Sequence, residues 1–275
     1  MIVWWLFVGW VVERAQMSMS FIPSAFNGYG CIDEVNRRKT VAPMCYRVLV
    51  PWLVWLIERI PWARGRRLTL VYEPFRIVTI GLALWATAQA FGPTTALLTA
   101  VLLPLTFLFD YWDWAVELFA IVAALTGQLW LALIGAVLLA SSRETAPLVA
   151  VAYWLTTGDW QGTIAVGALT ALTMLGVRLW AGEKTLNCDR LMWSHNRKDV
   201  RALFDNRPFY LSETAIALVI TALTLAAIAT GVVGWPIAAL ILISGWTMAR
   251  AAETRVFVVC LPWCAQFLLN TGGFK

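Results

Sequence analysis

The sequence predicts an all-α integral membrane protein, a polytopic bundle of about eight to ten hydrophobic helical segments, some too short for the ~20 residues of a full span. Three observations predict it. Of 275 residues, 60% are hydrophobic and only 13% charged, where soluble domains average about 45–50% and about 25%. There is too little polar surface to cover a globule in water, and the mean hydropathy is +0.72. Apolar stretches recur along the whole chain with no soluble domain between them, so residues 1–275 read as a single transmembrane domain. Finally, 17 Trp and 6 Tyr supply the amphipathic rings that settle at a membrane–water boundary. Trp62, Trp112, Trp114, Trp160, Trp180 and Trp193 all lie close to charged residues or to Gly or Pro.

The elements follow in order. Met1 to Val12 is apolar, lacks a basic leader and a small-residue cleavage site, and reads as a retained first helix continuing beyond Arg14. A polar first loop over about 20–46 carries Asn27-Gly28-Tyr29-Gly30, the acidic pair Asp33-Glu34 and the run Arg37-Arg38-Lys39. Val48 to Ile57 is apolar but far short of a span, and Glu58, Arg59, Pro61, Arg64, Arg66 and Arg67 interrupt it, so it reads as tilted or re-entrant. Further apolar stretches cover about 68–91, 94–109, 114–126, 129–141, 146–157 and 162–181. A basic loop follows over about 182–210, and the stretches resume at 211–233, 235–249 and 256–270. Such fragmentation favours a bundle around a polar cavity over a row of lipid-facing hairpins.

The formal charge of +5 and pI near 9.1 would suggest a polyanion partner in a soluble chain. In this context the excess reads as juxtamembrane Arg facing phospholipid headgroups, and nucleic acid is excluded as a partner. The basic loop and the Arg64–Arg67 turn look cytoplasmic by the positive-inside rule, but the first loop is basic as well, so the rule leaves orientation open. The five Cys, at 31, 45, 188, 260 and 264, have no metal-like spacing and read as buried thiols, with a Cys31–Cys45 pair as the alternative in an oxidising compartment. With His195 the only histidine, zinc has no ligand set. No phosphate-cradling glycine loop, nucleophile elbow, or haem or dinucleotide signature is present, so no cofactor is expected and a divalent metal has no support.

Ionisable groups inside apolar stretches are costly and need a partner or a role. Glu73 and Arg76, three apart, read as a local pair on one helix face. Asp110, Asp113 and Glu117 recur at helical spacing and read either as a proton- or metal-handling face or as a wet helix end. Ser141-Ser142-Arg143-Glu144-Thr145-Ala146-Pro147 embeds an Arg-Glu pair between two apolar stretches. Arg143 can grip a phosphate or carboxylate bidentately while Glu144 orients it, or the two form a structural ion pair. Glu253-Thr254-Arg255 repeats the theme near the C-terminus.

Taken in order, Tyr46-Arg47-Val48-Leu49-Val50-Pro51-Trp52-Leu53, Phe109-Asp110 with Glu117-Leu118, Arg143-Glu144-Thr145-Ala146, and Glu253-Thr254-Arg255-Val256-Phe257 before Leu261-Pro262 resemble a group of bacterial polytopic membrane proteins. That group is itself similar to the GT-C superfamily of polyprenyl-phosphate-sugar glycosyltransferases. The resemblance spans about 25–265. It implies a GT-C-like core in the bacterial inner membrane, a first extracytoplasmic loop with an acidic pair beside a membrane-open cavity, and a polyprenyl-phosphate sugar as donor. It further implies Asp33 as general base with Glu34 supporting it, and Arg47, Arg143 and Arg255 as grips on phosphate or substrate, with Glu144 orienting Arg143. The alternative is a non-enzymatic integral subunit or scaffold of a larger membrane complex, burying its flanks against other subunits or lipid. A transporter using Asp110, Asp113 and Glu117 ranks third, since no repeat is visible.

Overall fold

A computed structural model of the chain describes residues 2–19, 48–66, 68–106, 113–182, 208–248 and 257–272. Among these residues all regular structure is helical. The α-helices are α1 (Ile2–Met19), α2 (Leu49–Ile57), α3 (Glu73–Phe91), α4 (Pro93–Leu105), α5 (Asp113–Leu125), α6 (Leu129–Ala140), α7 (Pro147–Thr157), α8 (Trp160–Ala181), α9 (Pro208–Ala229), α10 (Trp235–Met248) and α11 (Leu261–Thr271). They follow the apolar stretches of the sequence closely, because Pro and Gly set the breaks. Pro93 and Pro147 open α4 and α7, where a missing N–H costs nothing. Two helical stretches, Leu70–Phe91 and Trp160–Ala181, are long and apolar enough to cross a membrane. Others are shorter; α5, at 13 residues, reaches only about 20 Å at 1.5 Å per residue.

Helix direction is read from the contacts. A Cβ on Gly9 would lie 2.7 Å from the backbone N of Gly81, and one on Gly81 would lie 2.9 Å from Leu6 Cα, so α1 and α3 touch backbone to backbone. Glu13 pairs with Arg76 on the same interface, so the two helices run antiparallel. The α5–α6 hairpin turns through Thr126-Gly127-Gln128, and a Cβ on Gly135 would meet Ala120 Cα at 2.9 Å. Small residues at these crossings allow the close approach that stabilises helix pairs where hydrophobic driving force is weak.

Following the chain through these pairs separates two ends of the bundle. One end, the turn end, holds the short links at Gly92, Gly127, Gly158 and Gly231 to Gly234, all with positive φ. Trp263 ties it together, stacking edge-on against Phe91 and donating to Val233 O at 2.9 Å. The other, the basic end, holds the C-terminal half of α1, the start of α3, the start of α5 and the Ser141–Ala146 turn. Val48 N and Leu49 N both donate to Ser141 O, at 2.9 and 3.1 Å, which fixes the start of α2 at the basic end too.

At the centre lies α5, whose 13 residues are all buried. It packs against α3, α6, α7 and the 3-10 turn Val258–Cys260. The periphery is different. Over the most apolar 18 residues of Leu70–Phe91, 56% are buried; over those of Trp160–Ala181, 22%. Ile164, Leu172, Leu175 and Leu179 leave a long apolar side of α8 uncovered. Cys260 and Cys264 are buried thiols, as the sequence suggests, with Thr224 Oγ1 3.3 Å from the Cys264 sulfur.

Candidate functional site

The α5–α6 hairpin determines which polar groups meet at the basic end. With Ala120 opposite Gly135, the first turns of α5 face the end of α6. Asp113 and Glu117, four apart, share one helix face and look toward the turn that carries Arg143. There Ser141 Oγ and Ser142 Oγ donate back to the Val137 and Leu138 carbonyls at 2.9 and 2.6 Å, satisfying groups the helix end leaves open. The chain then bends and projects Arg143 inward.

Arg143 Nη1 lies 2.5 Å from Glu117 Oε2, and its Nε lies 3.8 Å from Asp113 Oδ2. Thr145 Oγ1 donates to Glu117 Oε1 at 2.6 Å, so both oxygens of that carboxylate are engaged. All three charged side chains are nearly buried, Arg143 at 9% exposure being the most open. The expectation of a wet helix end for Asp113 and Glu117 is therefore replaced by an interior ionic cluster. Glu144 turns away from this cluster. It lines a shallow notch with Ala140, Arg143, Met174, Val177 and Arg178 that has room for about one water at most.

A second cluster stands between α1 and α3. Arg76 Nη2 lies 2.9 Å from Glu13 Oε2 and donates to Gln16 Oε1 at 2.9 Å, with both charged side chains 1% exposed. Gln16 Nε2 reaches Leu103 O at 3.4 Å, linking α4. Nearer the surface, Arg14 Nη2 donates to Glu73 Oε2 at 3.0 Å. The spacing of Glu73 and Arg76 suggested a pair along one helix. Each finds a partner on α1, which the close crossing at Gly9 and Gly81 brings alongside.

Of the residues singled out in the sequence, Arg143 and Glu144 lie at the basic end. Asp33, Glu34, Arg47 and Arg255 lie outside the described residues, as do Asp110 and His195. Met19 and Val48, on either side of the first polar segment of the sequence, both lie at the basic end. Gly182 and Pro208 flank the basic segment at the same end. Among the described residues no group of three His, Cys, Asp or Glu converges as metal ligands.

Two residues escaped sequence reading. Arg178 is the lone cation inside the 22-residue apolar α8, a signal that a search for charges within spans would have caught. Gln16 gave no signal, since its partner lies 60 residues away. No family model, curated protein or solved structure matches the chain.

Proposed function

We propose that the chain is an integral protein of the bacterial inner membrane that transfers a sugar from a polyprenyl-phosphate carrier to an acceptor at its basic end. The observation that carries this reading is the double hydrogen bond from Val48 N and Leu49 N to Ser141 O. It ties the chain directly after Arg47 to the turn bearing Arg143 and Glu144, two motifs nearly a hundred residues apart. The start of α2 and the turn bearing Arg143 and Glu144 thus meet at one end of a largely apolar bundle. The membrane setting is supported by the two span-length helices and by the uncovered apolar side of α8.

On this reading Asp33 accepts the acceptor hydroxyl's proton as the new bond forms to the sugar's anomeric carbon. The bond from that carbon to the phosphate oxygen breaks, and the polyprenyl phosphate leaves with its electron pair. Arg47, Arg143 and Arg255, joined by Arg178 at the notch, oppose the negative charge that develops there. Glu34 supports the base, and Glu117 with Asp113 holds the Arg143 guanidinium in place beside the notch. The decisive experiment uses the purified chain in liposomes with radiolabelled polyprenyl-phosphate sugars. Transfer that is lost in Asp33→Asn, with folding retained, is the expected result; full turnover in that variant removes the base from the mechanism.

A second reading, a non-enzymatic subunit of a membrane complex, has its own observation. The Arg143 charge is met by two carboxylates and the notch is small, whereas α8 offers a long apolar flank. Stoichiometric co-purification of partners in mild detergent, with no transfer to any acceptor, would favour it.

A further inference from the structure

We propose that residues 55–66 form a binding surface for the anionic headgroups of the bilayer around the protein. This rests on the membrane placement above and is independent of sugar transfer. After α2 the chain makes a short turn, a 3-10 helix over Pro61–Ala63, and a reversal at Gly65 with φ 75° before α3. Only Ala63 in the second half of this arm is buried. The remainder faces outward with two chemistries interleaved. Trp55, Leu56, Ile60 and Trp62 are exposed, Trp62 at 66%. Arg59 is exposed among them, and Arg64 and Arg66 are exposed just after Trp62.

The charge balance identifies the partner. From residue 48 to 67 the sequence has four Arg, at 59, 64, 66 and 67, and a single acid, Glu58. A protein partner would ask for acids or a shaped pocket opposite such a strip; a bilayer supplies both phosphate charge and an apolar layer a few ångströms beneath it. The local geometry suits that boundary. The Arg59 guanidinium lies 3.6 Å from the Trp55 ring centroid, so a cation and its aromatic platform are held together at one depth. Arg64 Nε donates to Glu58 O at 3.4 Å, orienting a second guanidinium on the same arm. The turn end provides the contrast: it exposes Trp130, Trp160 and Trp235, but the one charged side chain described there is Asp159. Aromatic anchoring is thus present at both ends, whereas the exposed arginines described lie at the basic end, three of them on the arm.

The test is native mass spectrometry of the full chain released from nanodiscs containing equal phosphatidylglycerol and phosphatidylcholine. The intact chain should retain phosphatidylglycerol preferentially, and the triple variant Arg59→Gln, Arg64→Gln, Arg66→Gln should lose at least about tenfold of that preference. The triple lysine variant should keep most of it, because the headgroup attraction is largely one of point charge. Unchanged preference in the glutamine variant overturns the proposal. Should that variant fail to fold, the preference of the intact chain must fall as salt is raised, and a salt-insensitive preference overturns the proposal equally.

Discussion

At the turn end the chain reverses through links of a few residues at Gly92, Gly127, Gly158 and Gly231 to Gly234, and the charged side chain described there is Asp159. At the basic end the described cations gather, Arg14, Arg59, Arg64, Arg66, Arg76, Arg143 and Arg178, together with the carboxylates that pair with several of them. The two ends also hold their charges differently. Asp159 caps α8 from the surface, its Oδ1 accepting from Gln161 N and Gly162 N at 3.1 Å each. Three acids of the basic end, Glu13, Asp113 and Glu117, are carried inside the bundle. The lesson is that one end of this fold is a closure and the other is a platform, on which the costlier chemistry has been concentrated.

Substitutions can break or sharpen this contrast. The largest effect is expected at the most buried pair. Arg76→Ala strands Glu13 between α1 and α3 and should cost about 3–5 kcal/mol, seen as a collapse of the thermal midpoint in detergent, while a double change of Glu13 and Arg76 to leucine should recover most of the loss. Arg143→Ala, which leaves Glu117 and Asp113 facing each other, should cost about 3 kcal/mol, and adding Glu117→Gln should restore part of it. If Arg143→Ala were neutral, the cluster would not be an interior one. Gly81→Val tests the close crossing at mid-height. With Leu6 Cα and Trp5 O each 2.9 Å from the added Cβ, backbones must separate, at a cost of about 1–3 kcal/mol. The smallest effect belongs to the turn end, where Asp159→Ala removes a helix cap worth about 1 kcal/mol. A turn-end loss equal to the Arg76 loss would erase the distinction between closure and platform.

Much of this architecture is legible in the sequence, and the reasons are local. Apolar runs bounded by Gly and Pro mark where helices begin and end, so α3 to α8 follow the expected stretches within a few residues. The chain nonetheless forms eleven α-helices among the described residues, above the expected eight to ten, because every short apolar run became a helix of its own. The Arg143 motif stood out because a charge between apolar stretches is expensive wherever it lands. What the sequence hides is pairing. Spacing joined Glu73 to Arg76 and Glu144 to Arg143, whereas the fold gives Arg76 to Glu13 and Arg143 to Glu117. Local spacing describes only one helix face, and the partner is chosen by whichever helix the small residues Gly9, Gly81, Gly135 and Ala120 allow to approach.

The proposed membrane placement requires the turn end and the basic end to lie on opposite sides of a bilayer, and sided cysteine labelling tests it most directly. Arg64→Cys and Gln161→Cys, each made in a chain with Cys31, Cys45 and Cys188 changed to Ser, would be exposed to an impermeant maleimide in intact cells and again after permeabilisation. The compartment that reaches Arg64→Cys distinguishes a cytoplasmic basic end, favoured by its arginines, from the outward first loop implied by the glycosyltransferase resemblance. In either orientation the account predicts that one position reacts from outside while the other reacts only after permeabilisation. Labelling of both positions from the same side would contradict it.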